Sequence, residues 1–381
     1  MKRLAILGCT GSIGRQTLDI VRRYPDKFKV EALVANTDVA NLLLLAEEFK
    51  PSFIGICTDG LGKLIKPSYS CEICEGSKVL EYAASMPKVD CVVCAVVGIA
   101  GLSGVISAII NKKQIALANK ESLVCAGELI MKLAKENNVD ILPVDSEHSA
   151  VWQAIKAGRD EDVAKIILTA SGGPFRGFTN KEQFNDVTVE KAIAHPNWSM
   201  GKKISVDSAS MMNKGLEIIE AHWLFNKKEI DYVIHPQSII HSMVEYKDGS
   251  IIAQMSNPNM ELPIQLALTY PERFESATPK FCFDKSLTFS KPNEDLFFLP
   301  KLAKDSINQG KNASCILNSA NEKAVELFLS RKIGFYEMMM LVEKIYLSYS
   351  YEPINSINDV IFVYNDVVRK TELDYKKLLE K

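Results

Sequence analysis

A glycine-rich turn near the start of the chain constrains its fold more than any other feature. Residues 8–14 read GCTGSIG and stand between a short apolar run at residues 4–7 and a helical pattern at residues 17–23. A strand, a glycine turn and a helix in this order are typical of dinucleotide binding, because N–H groups at the helix start face the phosphates. The spacing, G-x-x-G-x-x-G, is a variant of the usual one, and a turn that only packs is the alternative.

The alternation of short apolar runs and helical patterns continues to about residue 144. Further apolar runs lie at residues 30–35, 53–57, 91–97, 115–118 and 141–144. This rhythm predicts a mostly parallel sheet with helices on both faces. The first predicted domain therefore spans residues 1–144 and is Rossmann-like.

The later parts of the chain predict three further segments. Residues 145–270 carry long loops rich in Ser, Gly, Asn and Pro between strand-like runs, which predicts an α+β domain. Residues 271–300 are rich in proline and read as a linker, and residues 301–381 contain helical patterns that predict a small helical domain. The expected fold class is α/β, with a Rossmann-like N-terminal domain, an α+β middle domain and a small C-terminal helical domain.

Charge and cysteine usage narrow the class of protein. The 381 residues carry a formal net charge of -2, which is neither the basic excess of a nucleic-acid binder nor an acidic tail. Nine scattered cysteines favour buried thiols of a reducing compartment over a disulfide framework. Residues 91–110 are uncharged and as long as a membrane span, but glycines divide them into a strand, a turn and a helix. We expect a cytoplasmic protein that binds small molecules rather than nucleic acid or membrane.

The residues after the second apolar run bear on the choice of cofactor. An NAD enzyme places an acidic residue there, where it binds the ribose hydroxyls. Asn36 and Thr37 stand at this position and carry no charge. These two residues therefore do not repel a 2′-phosphate, although no Lys or Arg is present there to bind it.

Two acidic residues follow the buried run at residues 141–144, at the edge where open α/β sheets place their sites. Asp145 and Glu147 are two apart and share a face in extended backbone, with Ser146 pointing away or contacting a second ligand group. Glu217, early in an apolar helical pattern, is available as a third carboxylate. Each acid alone is also explained as an exposed or helix-start charge. Together, their oxygens would select a hard divalent cation.

Polar residues near Glu217 predict a site for a phosphorylated polyol. Asn213 and Lys214 lie just ahead of it, and Ser208 and Ser171 lie in Ser- and Gly-rich segments. A cation with neutral donors suits a phosphate and sugar hydroxyls, although each serine alone is also explained as a turn former.

A loop at residues 195–201 concentrates a histidine, a tryptophan and a methionine in the sequence HPNWSMG. Such a loop either closes on a ligand as a lid or packs its tryptophan into a core. The composition favours neither alternative. We interpret His148 and His222 as structural.

In chain order, the motifs GCTGSIG, LANKES, PVDSEHSA, SGGPF, HPNWSMGKKISVDSASMMNKGLEIIEA and NSANEKAVELFL resemble the 1-deoxy-D-xylulose 5-phosphate reductoisomerase family over nearly the whole chain. The resemblance implies an oxidoreductase that rearranges and reduces 1-deoxy-D-xylulose 5-phosphate to 2-C-methyl-D-erythritol 4-phosphate, in isoprenoid precursor biosynthesis by the non-mevalonate pathway. It implies NADPH as cofactor, retro-aldol and aldol steps before the reduction, a homodimer, and catalysis in the α+β domain.

The resemblance also implies roles for individual residues. The divalent metal, Mg²⁺, Mn²⁺ or Co²⁺, is held by Asp145, Glu147 and Glu217. The substrate phosphate is bound by Ser171, Ser208, Asn213 and Lys214, and its other oxygens are surrounded by Lys120, Ser146, Glu147, His195 and Glu217. NADPH is contacted by Thr10, Gly11, Ser12, Ile13, Asn119, Glu121 and Gly201, to which the strand-end position adds Asn36. Lys120, Glu147 and His195 form the expected catalytic set, in which Lys120 and Glu147 are the candidates for proton transfer.

The chain departs from the family at one place. The family usually has a Gly and a Lys or Arg at the positions of Asn36 and Thr37. We therefore expect NADPH to be preferred over NADH by a reduced margin. Two other functional hypotheses stay open. A plain NADP-dependent dehydrogenase would need no metal, and a Rossmann-type nucleotide sensor would have no use for a phosphate site.

Overall fold

The structure is a computed structural model that describes residues 1–195, 198, 200–284 and 286–379. The chain forms two compact units. Unit 1 comprises Met1–Ser122, Ile130–Ser149 and Asn259–Pro279, and unit 2 comprises Leu123–Leu129, Ala150–Pro258 and Lys280–Lys381. No helix within the described ranges is both long and apolar enough to cross a membrane.

The strands of the described residues fall into two sheets, one in each unit. In chain order they are β1 (Lys2–Leu7), β2 (Phe28–Ala35), β3 (Phe53–Ile56), β4 (Glu72–Glu75), β5 (Cys91–Cys94), β6 (Gln114–Leu117), β7 (Ile141–Pro143), β8 (Val163–Ala170), β9 (Ile230–Ile234), β10 (Ile240–Tyr246) and β11 (Ile251–Met255).

The α-helices of the described residues are, in chain order, α1 (Ser12–Arg23), α2 (Val39–Phe49), α3 (Val79–Ser85), α4 (Gly101–Ile110), α5 (Lys120–Asn137), α6 (Ser146–Ile155), α7 (Val189–Ile193), α8 (Lys202–Ala209), α9 (Met212–Phe225), α10 (Glu261–Thr269), α11 (Leu299–Gln309), α12 (Ala313–Leu329), α13 (Phe335–Leu347) and α14 (Ile357–Leu379).

The sheet of unit 1 is parallel throughout and has the strand order β4-β3-β2-β1-β5-β6-β7 among the described residues. The chain builds outward from β1 through β2, β3 and β4, then returns to place β5 on the other side of β1. This reversal creates a switch point beside the carboxyl end of β1, where sheets of this kind bind their ligands. The predicted Rossmann-like fold is confirmed.

Close packing of helices on this sheet follows from small residues in apolar helices. Gly104 in α4 lies against β1, since a Cβ at this position would stand 2.7 Å from Cδ1 of Leu7. The uncharged segment at residues 91–110 forms β5, a turn and α4, as the sequence predicts.

Unit 2 combines a mixed sheet with helices. Its strand order is β11-β10-β8-β9, in which β8 and β9 are parallel and β10 is antiparallel to both β8 and β11. The core of this unit includes the fully buried side chains of Leu216, Ile316, Phe335 and Tyr346. A second sheet and a helical region towards the C-terminus complete the predicted fold class.

The helical patterns predicted for residues 301–381 form α11, which already begins at Leu299, then α12, α13 and finally α14, which continues to Leu379. Buried Thr371 and Tyr375 continue the inward face of this helix through a stretch rich in Lys and Glu. The predicted domain boundaries at residues 144, 270 and 300 stay predictions. The compact units divide the chain differently, because α10 pairs with unit 1 through the ion pair of Glu261 with Arg23.

Candidate functional site

The nucleotide loop, residues 8–14, joins β1 to α1 at the switch point of unit 1. Gly8 has φ +86, and a Cβ at this residue would stand 2.5 Å from the carbonyl oxygen of Ala95. A Cβ at Gly14 would stand 2.4 Å from the carbonyl oxygen of Gly8. Only glycine fits at either place, which leaves the backbone of the loop open to a close approach.

The start of α1 presents hydrogen-bond donors along this loop. Gly11 is the N-cap and makes no side-chain capping bond, so the N–H groups of Ser12 and Ile13 have no acceptor within the helix. Gly11 and Ser12 are exposed, and Thr10 and Ile13 are half-buried. Backbone donors at a helix N-terminus fit the pyrophosphate of a dinucleotide.

Asn119, just after β6, ties its own segment to the loop that follows β5. Its backbone N–H donates to Cys94 O at 3.0 Å, and its side-chain Nδ2 donates to Val96 O at 3.0 Å and to Gly98 O at 2.8 Å. Nδ2 also lies 3.1 Å from the Glu121 carboxylate, and both side chains are buried. The structure thus gives Asn119 a positioning role in addition to its predicted cofactor contact.

The end of β2 carries the residues predicted to face the ribose. Asn36 and Thr37 are exposed. Thr58, just after β3, fixes Asn36, because its N–H donates to Asn36 O at 3.2 Å and its hydroxyl donates to Asn36 Oδ1 at 3.4 Å. Thr58 therefore holds Asn36 by one bond to its backbone carbonyl and one bond to its side-chain amide.

The acid pair, Asp145 and Glu147, follows β7 at the carboxyl edge of the sheet. The prediction that these residues share a face of extended backbone is wrong, because Ser146 already begins α6. Instead, the Glu147 N–H donates to Asp145 Oδ1 at 3.1 Å, which bends the chain into the helix. The pair still converges, with carboxylate oxygens within 4.8 Å of one another, and the Ser146 hydroxyl donates to Glu147 Oε2 at 2.6 Å.

Two buried cationic or potentially cationic groups contact Asp145. Lys120 Nζ donates to Asp145 Oδ2 at 2.8 Å, and the Lys120 side chain is only 7% exposed. His148, which is fully buried, places Nδ1 at 3.5 Å from Asp145 Oδ1. The sequence assigned His148 no part in the site, but its spacing of three residues on a helix start would have indicated this contact.

The phosphate cradle, which we define as Ser171, Ser208, Asn213 and Lys214, lies in unit 2. The turn after β8 has positive φ at Gly172 (+81) and Gly173 (+65). A Cβ at Gly173 would stand 2.7 Å from Ser208 O, so the turn packs directly on the end of α8. Glycine at this point is what brings the segments of Ser171 and Ser208 together.

Glu217 lies on α9 with its carboxylate between the two remaining members of the cradle. Lys214 Nζ hydrogen-bonds one carboxylate oxygen, and Asn213 Nδ2 hydrogen-bonds the other. Glu217 is 1% exposed and Lys214 is 3% exposed. A carboxylate buried to this degree is stable only with charged and hydrogen-bonding partners, two of which here come from its own helix.

His195 is tied to the Ser171 turn as a neutral imidazole. Its Nε2 lies 3.0 Å from Ser171 Oγ, and its Nδ1 accepts from the Trp198 N–H at 3.0 Å. Because Nδ1 accepts, the proton of the neutral ring is on Nε2, facing Ser171. Burial, with a smaller contribution from Arg176, lowers the pKa of His195 to about 4.

The loop at residues 195–201, for which a lid and a packed loop are both open, falls partly on Pro196, Asn197 and Ser199, which lie outside the described residues. Gly201, predicted to contact the cofactor, is the exposed N-cap of α8, and a Cβ there would meet nothing within 4 Å.

One polar cluster was missed by the sequence analysis. Asp207, on α8 beside Ser208, is 1% exposed and pairs with Lys203 Nζ at 2.8 Å. Asn321 on α12 donates its Nδ2 to Asp207 Oδ1 at 2.8 Å. These partners are 114 residues apart, so no local pattern could have indicated the contact. The cluster anchors the helix that carries Ser208.

Three protein-family models match the chain. Residues 4–127 match 1-deoxy-D-xylulose 5-phosphate reductoisomerase, residues 141–225 match the C-terminal domain of 1-deoxy-D-xylulose 5-phosphate reductoisomerase, and residues 255–370 match a DXP reductoisomerase C-terminal domain.

Relatives of known name cover nearly all of the chain. The 1-deoxy-D-xylulose 5-phosphate reductoisomerase of Clostridium perfringens is 48% identical over 370 residues, which are 95% of this chain and 96% of the relative. That of Pelodictyon phaeoclathratiforme is 50% identical over 362 residues, covering 93% and 94%.

Solved structures agree with these relatives. The Zymomonas mobilis 1-deoxy-D-xylulose 5-phosphate reductoisomerase in complex with NADPH matches with a TM-score of 0.91 at 40% identity, covering 98% of each chain. A crystal structure of DOX-P reductoisomerase in complex with NADPH, fosmidomycin and magnesium matches with a TM-score of 0.93 at 40% identity, covering 99% of each chain.

Proposed function

We propose residue roles for this chain on the premise that it belongs to the 1-deoxy-D-xylulose 5-phosphate reductoisomerase family. It is an NADP-dependent oxidoreductase that converts 1-deoxy-D-xylulose 5-phosphate to 2-C-methyl-D-erythritol 4-phosphate with a divalent metal, in isoprenoid precursor biosynthesis. The observation that carries the residue assignment is the acid pair, which stands at the carboxyl edge of the sheet with Lys120 on Asp145.

The metal ligands in this proposal are Asp145, Glu147 and Glu217. All three offer carboxylate oxygens, which suit Mg²⁺, Mn²⁺ and Co²⁺ in a site that needs no soft ligand. The metal would act as a Lewis acid on the carbonyl and hydroxyl oxygens of the substrate. The chain orients the carboxylates through Lys120 and His148 on Asp145 and through Lys214 on Glu217.

The phosphate cradle binds the phosphate end of the substrate. Lys214 supplies the positive charge, and Ser171, Ser208 and Asn213 supply neutral donors. The remaining oxygens of the substrate are contacted by Lys120, Ser146, Glu147, His195 and Glu217. Asp207 acts on this set only through α8, which it holds against α12 by its bond to Asn321.

Proton transfer during the rearrangement is assigned to Lys120 and Glu147. Lys120 Nζ is buried and donates a hydrogen bond to the Asp145 carboxylate at 2.8 Å, which holds the amine where it can exchange a proton with a substrate hydroxyl. His195 contributes as a neutral hydrogen-bond donor through Nε2, since its low pKa excludes an imidazolium at neutral pH. The rearrangement proceeds by retro-aldol and aldol steps in this proposal.

NADPH is placed on the nucleotide loop, where it supplies the hydride for the final reduction. Thr10, Gly11, Ser12 and Ile13 face its pyrophosphate. The other proposed contacts are made by Asn36, Asn119, Glu121 and Gly201. This placement is supported by Gly8 and Gly14, where no residue with a Cβ would fit.

A homodimer and a cytoplasmic location complete the proposal. The homodimer rests on the family resemblance. The location is supported by the nine cysteines, all described, among which no disulfide forms.

The function is tested by NADPH consumption with 1-deoxy-D-xylulose 5-phosphate, with Mg²⁺ or Mn²⁺ and after EDTA treatment. The proposed metal site requires that turnover stop in EDTA and return with either ion. Turnover that survives EDTA would favour a plain dehydrogenase, and NADPH binding without turnover would favour a nucleotide sensor.

A further inference from the structure

An acidic residue lies just after β2, where NADPH would place its negatively charged 2′-phosphate. Asp38 follows Asn36 and Thr37 and is the N-cap of α2. Its Oδ1 accepts from the Asn41 N–H at 3.1 Å, and its Oδ2 accepts from Asn41 Nδ2 at 2.7 Å. A carboxylate fixed by two bonds at a helix start cannot turn away from a 2′-phosphate bound beside it.

A basic residue beside the nucleotide loop lies on α1 rather than at the end of β2. Arg15 follows Gly14 in the first turn of α1 and is exposed. Its Nε donates to Thr10 O at 2.9 Å, which lays the guanidinium over the nucleotide loop. Within the described part of the chain Arg15 enters no ion pair.

Arg15 and Asp38 belong to the same edge of the sheet. The backbone N–H groups of Gly8 and Cys9 both donate to Val34 O, at 2.8 and 2.9 Å, which joins the end of β1 to the end of β2. The charges of Asp38 and Arg15 both act on the buried Cys9 thiol. Its pKa rises to about 12, chiefly through burial, while Asp38 raises it further and Arg15 lowers it.

We propose that Arg15 binds the 2′-phosphate of NADPH in place of the missing Lys or Arg after β2, and that Asp38 opposes it. Selectivity for NADPH over NADH then depends on the balance between the attraction of the 2′-phosphate to Arg15 and its repulsion by Asp38. The inference rests on the proposed placement of NADPH on the nucleotide loop. The adenosine ribose binds at the end of β2, on the side where these two residues lie.

The chemistry favours this assignment over binding by neutral donors alone. A guanidinium binds phosphate oxygens through two parallel N–H groups, and such bonds are about twice as strong as neutral ones. Because the Arg15 side chain is exposed, its contribution is also screened by salt. Asn36, held by Thr58, adds a neutral donor but no charge.

The test is direct binding to the full-length protein, measured by fluorescence titration with NADPH and NADH and by calorimetry with 2′,5′-ADP and 5′-ADP. Arg15→Gln is expected to weaken NADPH and 2′,5′-ADP by about tenfold, or about 1.4 kcal/mol, and to leave NADH and 5′-ADP unchanged. Arg15→Lys should restore part of the loss. The remaining affinity of Arg15→Gln for NADPH should depend less on salt than that of the wild type.

Asp38→Asn supplies the opposite test, since asparagine caps a helix as well as aspartate does. It is expected to tighten NADPH and 2′,5′-ADP several-fold without changing NADH. Lys135→Gln, an exposed lysine in the last turn of α5, is the matched control and should change neither nucleotide.

Equal effects of Arg15→Gln on NADPH and NADH, or no effect on either, would overturn the inference while leaving the proposed function intact. An unchanged ratio of affinities in Asp38→Asn would overturn the opposing role of Asp38. A wild-type protein that binds neither dinucleotide would instead overturn the placement on the nucleotide loop. Melting temperatures of all variants identify any that fail to fold.

Discussion

At the scale of single residues, the neutral His195 makes the stability of the protein depend on pH. The pKa of this histidine falls from 6.5 to about 4 on folding, because burial disfavours the imidazolium. Between these values the unfolded chain binds more protons than the folded one, so stability rises with pH there. The contribution is complete above pH 6.5 and is lost as the pH falls towards 4.

We therefore expect the melting temperature of the wild type to fall on acidification from about pH 7.5 to about pH 4.5, and that of His195→Gln to fall less. Glutamine can still hydrogen-bond Ser171 but does not titrate. Parallel curves for the two proteins would contradict the shifted pKa of His195.

Lys120 is expected to act on the chemical step rather than on folding. Lys120→Gln removes the ammonium that donates to Asp145 and the proposed proton carrier. We expect kcat to fall by about 100-fold or more, with NADPH affinity retained. Lys132→Gln, an exposed lysine on the same helix, should leave kcat unchanged. A normal kcat in Lys120→Gln, measured by NADPH consumption, would remove Lys120 from the catalytic set.

At the scale of elements, the nucleotide loop depends on backbone space. Gly14→Ala places a methyl group 2.4 Å from Gly8 O, so the start of α1 must shift away from β1. We expect NADPH binding to be lost and the melting temperature to fall. Gly177→Ala is the matched control, since a Cβ there meets nothing within 4 Å. Tight NADPH binding by Gly14→Ala, in a fluorescence titration, would show that the dinucleotide does not use this loop.

Local sequence patterns predicted those elements whose own residues show a motif or a clear periodicity. The glycine turn and the alternating apolar runs indicated the parallel sheet. Nearness in sequence grouped Asn213 and Lys214 with Glu217, and the structure shows both in contact with its carboxylate on α9. The same local reasoning failed at the acid pair, because Asp145 caps a helix that starts at Ser146. Extended and helical backbone both follow a buried strand, and three residues contain too little pattern to separate them.

At the scale of the whole molecule, the sequence predicted what is local and missed what is distant. The end of α10 contacts β1 through Lys2, whose Nζ donates to Leu268 O at 2.6 Å across 266 residues. The bond between Asn321 and Asp207 spans 114 residues. Neither contact leaves a periodic signal, because each depends on chain topology rather than on neighbouring residues. The site residues were predicted only where strand ends and helix spacing already placed them together, or through the family resemblance.

The central claim is that Glu217 binds the catalytic metal together with Asp145 and Glu147. It is tested most directly by NADPH consumption with 1-deoxy-D-xylulose 5-phosphate over a range of Mg²⁺ and Mn²⁺ concentrations, for the wild type, Glu217→Gln and the exposed control Glu229→Gln. The account predicts that Glu217→Gln loses about 100-fold or more of the turnover, since even partners outside the ligand shell contribute 10- to 100-fold, and that Glu229→Gln loses none. Undiminished turnover of Glu217→Gln at every metal concentration would contradict it.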